Sequence, residues 1–94
     1  MNAVIYVRDN GDIPIYAQFN KCAEYAAKNG FPVIGKVLDF DGKHLHEAIN
    51  KIIASREPKA LIIYSIDEAF DNYNDYIFYR VYLETFKHRL IVCE

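Results

Sequence analysis

Four carboxylates, Asp9, Asp39, Asp67 and Glu68, follow closely on apolar runs and are the side chains best placed to do chemistry. A hard cation such as Mg²⁺ takes oxygen ligands from one or two carboxylates plus water, so a magnesium- or phosphate-handling site is one reading of them. Aspartate also caps helices and closes turns at such positions, and that plainer role is favoured here. Ser65 sits beside Asp67 at the end of an apolar run, yet no histidine is spaced to act as its base. His44 and His46 are two residues apart and cannot share a helix face, so they read as solvated positions. His88 reads as a cation favoured by a helix C-terminus. Cys22 and Cys93 show neither metal-ligand spacing nor a disulfide framework and read as two buried free thiols. Arg8 stands among the acids with two readings, an anion site or an ion pair with Asp67 or Glu68, of which the pair is favoured.

The elements that must position these residues can be read from periodicity. Ala3 to Val7 is β-rich and ends at the turn signal Asp9-Asn10-Gly11-Asp12. Ile15, Phe19, Cys22, Ala23 and Ala26 then mark one face of a helix that opens near Pro14 and stops at Asn29-Gly30. Pro32 to Leu38 predicts a second strand. Leu45, Ala48, Ile49, Ile52 and Ile53 give the cleanest helical stripe in the chain, which Pro58 breaks off. Ala60 to Tyr64 is apolar without alternation, as a strand buried on both faces should be. A third helix is expected from about Asn72 to His88, and Leu90 to Cys93 as a last strand.

Strands alternating with helices predict an α/β three-layer sandwich around a four-stranded parallel sheet, with order 2-1-3-4 and right-handed crossovers. Such sheets bind ligands at the carboxyl ends of their strands. That would gather three loops: Arg8 to Asp12, Asp39 to Lys43, and Ser65 to Asp71. Arg8 and Lys43 then stand against Asp9, Asp12, Asp39, Asp41, Asp67, Glu68 and Asp71, a net charge of −5.

Composition narrows the classes further. With 94 residues, the chain reads as one domain over 1–94 with no separate DNA-binding domain. Its net charge of −2 lacks the basic excess that phosphate-neutralising modules carry. No run of apolar residues is long enough to span a membrane, and Met1 to Tyr6 lacks a signal peptide's basic start. A cytoplasmic protein with no cofactor and no membrane partner is the expectation.

Several segments, taken in order, resemble the catalytic domain of serine recombinases, the resolvases and invertases. Tyr6-Val7-Arg8-Asp9-Asn10 matches that family's opening Tyr-x-Arg-Val-Ser, where the serine attacks a DNA phosphate. Ile15-Tyr16-Ala17-Gln18 and Tyr25-Ala26-Ala27-Lys28-Asn29-Gly30 match its first helix, and Ile66-Asp67-Glu68-Ala69-Phe70-Asp71 its Leu-Asp-Arg-Leu-x-Arg segment. The resemblance implies the same fold over the whole chain, with Arg8, Asn10, Gln18, Asp67, Glu68 and Asp71 at the positions of the family's site. It also implies lost chemistry. Asn10 replaces the nucleophile and its amide cannot attack phosphorus. Glu68 and Asp71 replace two arginines, turning attraction for a phosphodiester into repulsion.

The third helix is unusually aromatic. Tyr76, Tyr79, Tyr82, Leu83 and Phe86 form one broad face expected to meet the sheet, which points Ile77 and Val81 elsewhere. Tyrosine is enriched at interfaces, and Tyr73, Tyr76, Ile77 and Val81 are candidates for one, with a wide core stripe as the alternative. The expectation is a catalytically inactive recombinase-like domain, a protein-interaction or regulatory module of a mobile element. Its partner would be another protein or a second copy, and DNA binding by this chain alone is not expected. The alternatives are a Mg-dependent or phosphate-binding α/β domain and a fragment of a site-specific DNA recombinase.

Overall fold

In the computed structural model, which describes residues 1–94, β1 (Asn2–Arg8) lies between β2 (Val33–Asp39) and β3 (Lys59–Ile63). β4 (Arg89–Val92) flanks β3, so the order is β2-β1-β3-β4 and every pairing is parallel. Helices α1 (Ile15–Lys28), α2 (Leu45–Ile53) and α4 (Tyr73–Thr85) make the crossovers that parallel strands require. The predicted sheet and strand order are those observed. One element was not foreseen: a single turn, α3 (Ile66–Ala69), just after β3.

Alternation along the strands sorts the core into two clusters. Ala3, Ile5 and Val7 of β1 and Ala60 and Ile62 of β3 face α1, where Cys22 and Ala26 meet them. Tyr6, Leu61, Ile63 and Leu90 face the other way, onto Leu45, Ala48, Ile49 and Ile52 of α2 and Tyr76 and Leu83 of α4. At the edge, Val33 and Ile34 of β2 are exposed, and the register with β1 slips between Ala3 and Val4. Such a bulge interrupts a row of free backbone groups that could otherwise template further pairing.

α4 keeps its predicted face except at Phe86, and it ends earlier than predicted. Tyr76 and Leu83 are buried, but Phe86 is half exposed. Its aromatics also stack on one another: Tyr82 meets Phe86 at 5.5 Å between ring centroids, Phe78 meets Tyr82 at 6.1 Å, and Tyr73 meets Tyr76 at 5.6 Å. Spacings of three and four residues place these rings side by side along the helix.

The helix stops at Thr85, where the His88 N–H reaches back to the Leu83 carbonyl. Lys87 holds a left-handed φ of 67° there, the position that Gly30 fills after α1. His88 is consequently not a solvated helix-end cation. It is buried, its Nδ1 accepts the Lys59 N–H at 3.0 Å, and burial followed by the charge of Lys59 holds its pKa below the ordinary histidine value. A ring that accepts at Nδ1 carries its proton at Nε2, and it is neutral.

Candidate functional site

The chain turns away from the sheet at the carboxyl ends of β1, β2 and β3, and the three predicted loops meet there. Gln18 anchors the first of them. Its buried amide donates to the carbonyls of Arg8 and Ile13, both at 2.8 Å, and its Oε1 accepts the Arg8 N–H at 3.3 Å. A strand end leaves backbone groups without ladder partners, and this side chain satisfies two of them on Arg8.

Arg8 reaches across to the other two loops. Its Nη2 donates to Asp71 Oδ1 at 2.8 Å and to the Asp41 carbonyl at 3.3 Å, while Nη1 donates to the Ala69 carbonyl at 3.4 Å. The guanidinium side chain is only 13% exposed. The expected ion pair with Asp67 or Glu68 therefore forms with Asp71 instead. The reason is reach: Asp67 and Glu68 lie on α3, while Asp71 lies past its end, where the chain comes back over Arg8. Gly42 closes the other side. Its φ of +84° is a glycine conformation, and a Cβ there would sit 2.9 Å from Arg8 Cζ.

The second loop is organised by Asp39. Buried and aimed at the α2 side of the sheet, it accepts the Tyr6 hydroxyl at 2.6 Å and the N–H groups of Phe40 at 2.8 Å and His44 at 3.0 Å. Despite burial, these donors hold its carboxyl below the usual aspartate range. Burial and the bond to Asp39 push the Tyr6 hydroxyl far above the usual tyrosine range. Asp39 is thus spent on structure rather than turned to solvent as a cation ligand.

The remaining acids divide similarly. Asp9 Oδ1 accepts the Gly11 N–H at 3.1 Å, closing its own turn, and Asp67 is exposed. Ser65 caps α3 by accepting the Glu68 N–H at 3.2 Å. Ser-x-x-Glu is a helix-start signature, and it is the signal in the sequence by which α3 could have been found. Glu68 itself is buried, with Oε2 unpartnered. Burial first, then the neighbouring Asp12, raises its pKa above the usual glutamate value. No group of three histidine, cysteine or carboxylate side chains is placed to share a metal ion.

Asn10, at the position the resemblance assigns to an attacking serine, is tied into the rim. Its Oδ1 accepts the Asp12 N–H at 3.3 Å, and its Nδ2 reaches the Asp67 carbonyl at 3.5 Å. The structure thus gathers Arg8, Asn10, Gln18, Asp67, Glu68 and Asp71 at one end of the sheet. Of the interface candidates on α4, Tyr73, Ile77 and Val81 are exposed, Val81 by 56%. Tyr76 is not: at 8% exposure it packs against Phe70 and belongs to the core. Phe78, at 62% exposure, takes its place on the open side, and spacing alone had not marked it.

A contact that the sequence hid lies on the opposite face. Cys22 and Cys93 are both free, but their sulfurs are 3.4 Å apart. Cys22 is buried as expected, whereas Cys93 is only partly buried. Seventy-one residues separate them, so no spacing rule could pair them.

No protein-family model and no curated protein matches the sequence. Solved structures do. The N-terminal catalytic domain of TP901-1 integrase matches with a TM-score of 0.84 and 18% identity, over 99% of this chain and 77% of that one. The C-terminal catalytic domain of ISC1926 TnpA, an IS607-like serine recombinase, gives 0.79 and 22% identity over 100% of this chain and 70% of its own. That of IS1535 TnpA, another IS607-like serine recombinase, gives 0.71 and 14% over 98% and 70%. At the level of architecture, then, this chain has the fold of the serine recombinase catalytic domain.

Proposed function

We propose that this domain is a catalytically silent member of the serine recombinase fold that works through protein contacts. One observation carries the reading. Arg8, the cation that would steady a phosphate, is clasped by the Asp71 carboxylate and two backbone carbonyls. An internal anion already pairs with it, and the surrounding rim, rich in Asp and Glu, repels a phosphodiester backbone. Asn10 supplies no nucleophile, because an amide nitrogen shares its lone pair with the carbonyl. The exposed side of α4, with Tyr73, Ile77, Phe78 and Val81, supplies the apolar surface for a partner protein or a second copy.

The test is an attempt to trap covalent protein–DNA adducts and nicked plasmid with the purified chain. Neither should form, and restoring Asn10→Ser alone should not produce them while Glu68 and Asp71 remain. An adduct with the unaltered chain would overturn the reading. Sedimentation equilibrium with Ile77→Asp and Val81→Asp addresses the contact surface: loss of self-association, or of a captured partner, is expected.

A second reading has some support. The solved domains extend beyond the part matched here, by about a quarter to a third of their lengths. A segment of a longer recombinase that takes DNA binding from elsewhere fits that. Salt-sensitive DNA binding in a gel shift would favour it.

A further inference from the structure

We propose that Cys22 and Cys93 form a redox pair which peroxide converts into an intramolecular disulfide, stapling α1 to the end of the last strand. The two thiols are in contact at 3.4 Å, one held by the helix and one by the sheet. Both positions are fixed by structure that does not depend on the sulfurs. Cys22 is wedged in the core beneath α1, and the Cys93 N–H donates to the Ile63 carbonyl at 2.9 Å, continuing the pairing of β4 with β3. Forming a bond of about 2 Å has only the short remaining gap between the two sulfurs to close.

The two sulfurs are also unequal, as a reactive and a resolving thiol should be. Cys93 opens into a small surface cleft that it lines together with Lys21, Glu24, Tyr25 and Lys28, so a peroxide can reach it. Cys22 lies behind it, out of contact with solvent. A hydrogen bond from Cys22, helped by the charge of Lys21, holds the Cys93 thiol below its ordinary pKa. That same bond, together with burial, holds Cys22 well above its own. The thiolate is the nucleophile, so Cys93 reacts first.

Cys93 gives its proton to solvent, and its thiolate attacks hydrogen peroxide. An S–O bond forms, the O–O bond breaks, and the departing hydroxide takes up a proton as water. Cys22 sulfur then attacks the Cys93 sulfenic acid. An S–S bond forms, the S–O bond breaks, and the hydroxyl leaves as water with the Cys22 proton. Two thiols are oxidised and one peroxide becomes two waters; a dithiol reductant reverses the disulfide.

The experiment is hydrogen peroxide treatment of the intact protein, followed by denaturation, alkylation and peptide mass mapping. The expected product is lighter by two hydrogens, takes no alkylating label until dithiothreitol is added, and yields a linked peptide joining Cys22 to Cys93. Because the closed loop is long, its thermal midpoint should rise by roughly 10 °C over the reduced form. With Cys22→Ala, the reaction should halt at a Cys93 sulfenic acid that dimedone traps. The inference is overturned if Cys93 proceeds to sulfinic acid while Cys22 stays alkylatable, if the only disulfides join two chains, or if both thiols resist peroxide that oxidises free cysteine. Should Cys22→Ala fail to fold, the unaltered protein's mass map decides the question by itself.

Discussion

Beneath α1 the sheet presents Ala3, Ile5, Val7, Ala60 and Ile62, and the helix answers with Cys22 and Ala26. Beneath α2 and α4 it presents Tyr6, Leu61, Ile63 and Leu90, and the helices answer with Leu45, Ile49, Ile52, Tyr76 and Leu83. The first face is a seam in which the buried helix residues are small, with Phe19 and Tyr25 packed at its margin. The second is a thick layer of branched and aromatic side chains shared between two helices. The contrast teaches where each face is vulnerable. A seam of small residues tolerates little added volume, whereas a layer of large ones is harmed by volume taken away. It also bears on function: two thiols meet on the first face, and the second carries the exposed aromatics of α4.

Three measurements would break or sharpen this contrast. The largest effect is expected from Leu83→Ala, which empties the centre of the thick layer. A loss of about 3 kcal/mol follows from the cavity it leaves. Chemical denaturation should show the midpoint moving with an unchanged slope, and a loss below about 1 kcal/mol would mean that the layer collapses to fill the gap.

Ala60→Leu tests the seam, adding volume between β3 and α1 where Ala60 is fully buried. A cost of about 2 kcal/mol is expected from strain. Ala48, buried on α2 in the thick layer, supplies the matched control, and Ala48→Leu should cost less. Equal costs at the two positions would erase the distinction between the faces.

The smallest effect concerns the acidic rim where α3 joins the thick side. Glu68 has a folded-state pKa raised above its unfolded value, so the folded protein binds the extra proton. Stability from this group is therefore present at low pH and falls as pH rises from the ordinary glutamate value, about 4.3, through the raised one. Glu68→Gln should stabilise the domain by about 1 kcal/mol at pH 7, by removing a buried charge with an unpartnered oxygen. That gain should disappear near pH 3. A gain that persists unchanged in acid would show that the charge is not its source.

Much of the scaffold is legible in the sequence. The stripe Leu45, Ala48, Ile49, Ile52 in α2 and the unbroken apolar run in β3 each follow from a local period, and local periods survive any tertiary arrangement. Strand order 2-1-3-4 is the economical arrangement for helical crossovers between parallel strands, and with it three loops meet around Arg8. α3 escaped because one helical turn has no periodicity to detect. In α4 a helix rich in aromatics offers several apolar arcs, and only its packing neighbours choose among them: Phe86 turns to solvent, and Tyr76, offered both to the core and to an interface, joins the core.

By itself the sequence determined the architecture, the acidic rim and the absence of a hydroxyl at position 10. These depend on residue type and on spacing within a few turns of chain. The tertiary structure alone decided which partners met: Arg8 with Asp71, Tyr6 with Asp39, His88 with the Lys59 backbone, and Cys22 with Cys93. Each of these pairs joins segments far apart along the chain. Their contacts are set by how strands and helices stack, to within an ångström or two, and residue order does not encode distances of that kind locally.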